Sequence, residues 1–194
     1  MFYLTVVFLG FLGVTLGNFF AVGELTFAAF GSVALYTAFA IAFIFALDAV
    51  LAFLSRRLPQ KWFAPLAPFF DVGKREVKLL RFFRVPRWKH RIPEWGALTS
   101  FRKNKLASAT DADYLGRFLL ESNYGVVIHW ANAILGFALI AIPPYYTMLG
   151  VSIPVALVNL FLSLLPTMIL RYNTPALRRV YRRALRKQER EERV

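Results

Sequence analysis

A chain of 194 residues with 58% hydrophobic and 16% aromatic residues carries more apolar surface than a soluble domain of that size can bury. Its formal charge is +13, yet all 24 Lys and Arg fall within 56–117 and 171–193, which leaves two cation-free regions, each long enough for two membrane spans of about 20 residues. The absence of cysteine excludes disulfides, thiolate catalysis and Cys-based metal sites.

Residues 2–23 read as the first span, with Gly10, Gly13 and Gly17 offering one small face for close helix packing. The segment lacks a basic n-region and a small-residue cleavage site, so it is read as a span and not as a cleaved signal peptide. A tight turn over Asn18–Leu25 with Glu24 leads to the second span at 25–54, where Asp48 snorkels or serves structure. The loop 55–121 holds fifteen Lys and Arg. Pro59, Pro65 and Pro68 keep its first part irregular, and Trp62, Phe63, Phe69 and Phe70 suit an interfacial belt. Lys74–Arg84 reads as a basic amphipathic helix on the bilayer, with Val77, Leu80 and Phe83 on its apolar face.

The stretch 81–98 is the most unusual of the chain, because it mixes cations, His90, Trp88 and Trp95, with Pro86 and Pro93 stopping a regular helix. A second basic cluster follows at Arg102-Lys103-Lys105. Thr110, Asp111 and Asp113 mark a helix N-terminus, acidic where the helix dipole favours it. No proline follows until Pro143, so one helix runs from there into a third span at 122–142, with His129 and Trp130 about two turns beyond Glu121. Pro143-Pro144-Tyr145-Tyr146 turns the chain, and 151–170 is the fourth span. Arg171-Tyr172-Asn173 ends that span, Thr174-Pro175 opens a new helix, and the basic tail 171–194 lies on an anionic bilayer.

The fold class is therefore an all-α integral membrane protein: one membrane domain over 1–194, four transmembrane helices and cytoplasmic interfacial amphipathic helices. The connections at 18–26 and 143–150 hold no Lys or Arg, which places both termini and the long loop in the cytoplasm of a multi-pass cell-membrane protein. Anionic lipid accounts for the net charge without nucleic acid.

G-x-S-x-G, P-loop, Gly-rich dinucleotide and H-E-x-x-H patterns are all absent. What remains is a small set: Arg87, Trp88, Lys89, His90 and Glu94, then Glu121, His129 and Trp130, then Arg171, Tyr172 and Asn173. The topology puts all three groups at the cytoplasmic boundary.

The string WKHRIPEWG, Glu121 eight residues before Ile128-His129-Trp130, and the closing LRYNTPALRRVYRRALRKQ resemble the glycosyl-4,4'-diaponeurosporenoate acyltransferase family. The resemblance covers roughly 80–190. The chain departs from the family pattern at Ser122-Asn123-Tyr124-Gly125 and in an extra Pro-Glu-Trp after His90-Arg91-Ile92. The resemblance implies transfer of a fatty acyl group to the sugar of a glycosylated carotenoid. It implies an acyl donor such as acyl-CoA or an acyl-carrier protein, a glycosylated lipid or carotenoid acceptor, and no resident cofactor.

The residues agree with that chemistry. Acyl transfer to a hydroxyl needs a base near neutrality, for which His90 and His129 are available, and a carboxylate such as Glu94 or Glu121 to orient it. Arg87, Lys89 or Arg171 can stabilise an oxyanion or hold phosphates, while Trp88, Trp130, Tyr172 and Asn173 line the binding site. Two histidines without cysteine make no metal site in this reading. The alternative from another class is a non-catalytic membrane subunit that binds a partner protein or pigment; either reading admits a protein partner or a homo-oligomer.

Overall fold

The computed structural model describes residues 2–23, 26–92 and 108–193. Among these the regular elements are helices, without a strand: α1 (Phe2–Val22), α2 (Phe27–Arg57), α3 (Lys74–Phe82), α4 (Val85–Trp88), α5 (Ala112–Leu135) and α6 (Leu149–Glu191). Short 3-10 turns occupy Gln60–Phe63, Pro68–Phe70 and Gly136–Ala141. Four helical stretches are long and apolar enough to cross a membrane: Phe2–Ala21, Phe27–Arg57, Ala112–Ala141 and Leu149–Glu191. The chain divides into two compact units, one of residues 1–54 and 128–165, the other of 55–127 and 166–194.

In the first unit, α1 runs on through Asn18 and stops at Gly23, whose φ of +75 suits a residue without Cβ. The expected turn at 18–25 is therefore shorter, and α2 starts behind Thr26, whose hydroxyl accepts the Ala29 N–H at 3.1 Å. Of the three glycines in α1, only Gly10 approaches another helix, with its Cβ position 3.7 Å from Val158. Gly13 and Gly17 face open space, so the small face expected of all three shrinks to one position.

The core of this unit gathers Val14, Ala40, Leu139, Tyr145, Val151 and Val155. Tyr145 closes the Pro143–Tyr146 turn by donating its hydroxyl to the Tyr36 carbonyl at 3.0 Å. Asn132 and Asn159 cross-link α5 to α6: each Nδ2 donates to the other residue, to Oδ1 of Asn159 at 3.1 Å and to the Asn132 carbonyl at 2.9 Å. Gly136 makes room for this pair, since a Cβ there would stand 2.2 Å from Asn159 Nδ2.

In the second unit, residues 171–191 of α6 carry the stripe Leu177, Val180, Tyr181, Ala184 and Leu185. That stripe packs on α5 at Ala112, Leu115, Phe118 and Leu119. The tail's apolar face is thus occupied by protein, which leaves its cationic faces outward. The expectation of a new helix at Thr174-Pro175 is corrected, because α6 continues from Leu149 to Glu191. Pro175 removes one helical donor, and the Thr174 hydroxyl donates to the Leu170 carbonyl at 2.8 Å, yet the helix runs on through both.

Asp111 begins α5, its carboxylate accepting the Tyr114 N–H at 2.9 Å, while Ser108 Oγ accepts the Asp111 N–H at 3.2 Å. On α3 one member of the expected lipid-facing set, Leu80, is buried against protein, while Phe83 is exposed together with Leu79 and Phe82.

Candidate active site

The second unit builds its polar centre around α4. Arg84 takes a left-handed conformation (φ 54) that breaks the chain after α3, and Pro86 then sits in the first turn of α4. Proline there gives up an N–H that needs no partner and presets the helical φ. Pro86 and Pro93 were expected to stop a regular helix from running through this stretch, and within it Pro86 starts only a single turn, Val85–Trp88, tied by the Trp88 indole N–H to the Phe83 carbonyl at 2.9 Å.

Lys89 follows as the cap of that turn. Its ammonium donates to Asn173 Oδ1 at 2.9 Å and lies 5.1 Å from the centre of the Tyr172 ring. Three of the predicted binding residues, from two stretches 84 positions apart, therefore meet at one cation. An ammonium has three protons, and among the described residues its one hydrogen bond goes to Asn173, which leaves donors for an anionic or carbonyl oxygen. His90 is the next residue, exposed in the turn after α4, and Arg87 is exposed as well.

Arg171 is held differently. Its guanidinium makes a two-point contact with Glu76, Nε to Oε1 and Nη2 to Oε2, both at 2.6 Å, and also donates to the Asp71 carbonyl at 3.0 Å. Seven residues on, and so on the same face of α6, Arg178 pairs with the Asp71 carboxylate and donates to the Ala67 carbonyl at 2.7 Å. Burial pulls the Arg178 guanidinium below its ordinary pKa and Asp71 opposes that shift. The two arginines clamp the 67–76 segment against α6. Arg171 was expected to bind substrate phosphates or an oxyanion, but in this arrangement a carboxylate already neutralises it.

Glu121 is likewise engaged, by both terminal nitrogens of Arg56 at 3.1 and 2.8 Å. That hydrogen bonding raises the pKa of the Arg56 guanidinium, against a smaller effect of desolvation. Glu121 was expected to orient a histidine, and its contacts here go to Arg56.

The neighbouring Ser122, Asn123 and Tyr124, where the chain departs from the family pattern, are all buried. Asn123 Nδ2 donates to the Phe63 and Ala64 carbonyls at 3.0 and 3.1 Å, and the Tyr124 ring stacks on Phe63 at 4.1 Å. Gly125 admits Leu170, whose Cδ1 lies 3.0 Å from where a Cβ would stand. The departure thus docks the Gln60–Phe63 turn and α6 onto α5.

An open cavity of about 540 Å³ also belongs to this unit. Its polar rim is made by Gln60, Lys61, Asp113 and Arg117, with Gly116 and Tyr181 among its walls. None of the catalytic or binding residues expected from sequence lines it; Asp113, read only as the acidic start of a helix, does.

In the first unit, His129 is half-buried and Trp130 is 46% exposed on α5. Glu94, Trp95 and the Arg102-Lys103-Lys105 cluster lie outside the described residues.

Sequence reasoning missed Arg56, Asp71, Glu76 and Arg178. A signal existed: Asp71 and Glu76 are the only carboxylates between Asp48 and Glu94, and Arg171 and Arg178 share a helix face.

No solved structure matches the chain. The glycosyl-4,4'-diaponeurosporenoate acyltransferase of Staphylococcus haemolyticus (strain JCSC1435) is 28% identical over 140 residues, covering 69% of this chain and 78% of that protein. The sequence pattern of the glycosyl-4,4'-diaponeurosporenoate acyltransferases matches residues 59–183, a span that includes the Lys89–Tyr172–Asn173 group, the α6 clamp and the cavity. By that match over well more than half of its length, the chain belongs to the glycosyl-4,4'-diaponeurosporenoate acyltransferase family and is an acyltransferase.

Proposed function

We propose that the protein moves a fatty acyl group from an acyl thioester, on CoA or an acyl-carrier protein, to a sugar hydroxyl of a glycosylated carotenoid or similar glycolipid. The work is done at the cytoplasmic face of the cell membrane. The observation that carries this reading is the Lys89–Tyr172–Asn173 group, in which two stretches of the family likeness share one ammonium. The apolar surface supports the membrane setting: Leu4, Phe8, Leu9 and Phe20 of α1 and Phe39, Phe45 and Phe53 of α2 are more than two-fifths exposed, and hydrocarbon covers such surface without cost. In the second unit Trp62, Phe69, Leu79, Phe82 and Phe83 are exposed beside Lys74, Lys78 and Arg81, the pairing of aromatics with cations that suits an anionic lipid interface.

In the proposed reaction a histidine takes the proton from the sugar hydroxyl as its oxygen attacks the thioester carbonyl. The carbonyl oxygen becomes an oxyanion, which Lys89 can stabilise with a proton not given to Asn173. The attack itself forms the ester C–O bond; collapse restores the carbonyl, breaks the C–S bond, and the histidine returns the proton to the leaving thiolate. His90, adjacent to Lys89, is the first candidate for the base and His129 the second; Glu94 is the carboxylate left to orient the imidazole. Arg87, Trp88 and Trp130 serve substrate binding. Arg171 takes a positioning role through Glu76.

His90→Ala and His129→Ala, purified in lipid, test the assignment. Loss of a general base costs roughly 10²–10⁴ in rate, so at least one variant should fold as the parent does and be nearly inactive in acyl transfer. Parental activity in both removes histidine from the chemistry.

A further inference from the structure

We infer that the open cavity of the second unit is a subsite for a neutral polyhydroxyl group, a hexosyl head presented by the acceptor. The inference rests on the proposed reaction for the origin of that group, but the lining of the cavity carries the chemistry. Three elements converge there. The 3-10 turn supplies Gln60 and Lys61, α6 supplies Tyr181, and α5 supplies Asp113, Gly116 and Arg117, whose spacing of three and four puts them on one helix face. At about 540 Å³ the space lies within the range of small-molecule sites.

The rim carries both signs of charge, Lys61 and Arg117 beside Asp113, so it presents donors and an acceptor side by side. Asp113 and Arg117 are four residues apart on α5, yet among the described residues neither they nor Lys61 form an ion pair. Their hydrogen-bonding groups therefore remain open to a ligand that both donates and accepts at closely spaced points, which is what adjacent sugar hydroxyls do. Gln60 adds one acceptor and two donors. Gly116 has no side chain to hold the Tyr181 ring away, since its Cβ position is only 3.4 Å from Tyr181 Cε2 and Oη. The seated ring offers a flat apolar wall for the C–H face of a pyranose.

The full chain in lipid nanodiscs is exposed to methyl β-glucoside, alone and with added inorganic phosphate; glucoside contact is read by saturation-transfer NMR and phosphate by loss of the glucoside signal. The glucoside should bind and phosphate should not compete with it. Removing one hydrogen-bonding group typically weakens binding about three- to tenfold, so Gln60→Ala, Lys61→Ala and Asp113→Asn should each do so. In turnover the same variants should raise KM for the glycosylated acceptor while KM for the acyl donor and kcat hold. Gln60 and Lys61 are exposed on a short turn, so their variants keep the fold available if Asp113→Asn disturbs the start of α5. Unchanged glucoside binding in all three overturns the subsite, as does phosphate binding in place of glucoside or a rise confined to donor KM. Glucoside binding does not depend on turnover: a parent that binds it but transfers no acyl group sinks the proposed reaction and leaves the subsite standing.

Discussion

At the scale of single residues, the second unit separates cations that are spent from cations that remain available. Arg171 and Glu76 meet at two points with side chains only 15% and 32% exposed, so each satisfies the other away from bulk water. Lys89 keeps protons to spare. A structural Arg171 has a measurable signature. Glu76→Gln should lower the melting midpoint, because a partly buried guanidinium left with a weaker partner costs about 1–3 kcal/mol. Glu76→Ala combined with Arg171→Ala should cost less than the sum of the two single changes, as contacting groups do. Arg171→Lys should not restore the parent, since an ammonium cannot make the two-point contact. If Glu76→Gln leaves the melting midpoint alone and raises donor KM, Arg171 belongs to the donor site instead.

At the scale of elements, what was legible and what was not follow from the range of each signal. Helix α5 was readable because the acidic start at Asp111 and Asp113 and the proline-free run beyond it are local. The continuity of α6 was not, because Thr174-Pro175 is also the local pattern of a helix start, and only packing on α5 decides between the two. The Lys89–Asn173 and Arg171–Glu76 contacts span 84 and 95 positions, beyond any periodicity in a single sequence. The residue types were visible; their pairing was not.

Pro154 shows how a local rule is met from a distance. It lacks the N–H that would bond to the Gly150 carbonyl, and Asn18 Nδ2 of α1 donates to that carbonyl at 2.8 Å. Gly150 has no room for a side chain, as a Cβ would stand 2.1 Å from Asn18 Oδ1. Interhelical hydrogen bonds between membrane helices contribute about 0.6 kcal/mol on average and up to about 1.7, so Asn18→Ala should destabilise by that order in a denaturation series. In a Pro154→Ala background the helix supplies its own donor to Gly150, and the same change should cost less. Equal costs in both backgrounds would show that Asn18 acts elsewhere.

At the scale of the whole molecule, charge distribution is the strongest evidence for how the chain lies in a membrane. Fifteen of the Lys and Arg fall in 56–117 and nine in 171–193, while the connections at 18–26 and 143–150 hold none. Moving a cluster of that size across a bilayer is opposed at each cation, and the proposed orientation therefore puts both clusters on the cytoplasmic side. In that proposed orientation an acyl thioester made in the cytoplasm would reach Lys89 and His90 without crossing the bilayer. The absence of native cysteine makes the test clean, because each introduced thiol is the sole target. Single cysteines at Ser108 and Gln188 should react in inverted vesicles and resist a membrane-impermeant maleimide in intact cells. One at Tyr146, which is 57% exposed in the turn after Pro144, should react from outside. Labelling of Ser108 in intact cells reverses the orientation. It would place the Lys89 group on the far face, where no cytoplasmic thioester reaches it, and the proposed donor would fall with the topology.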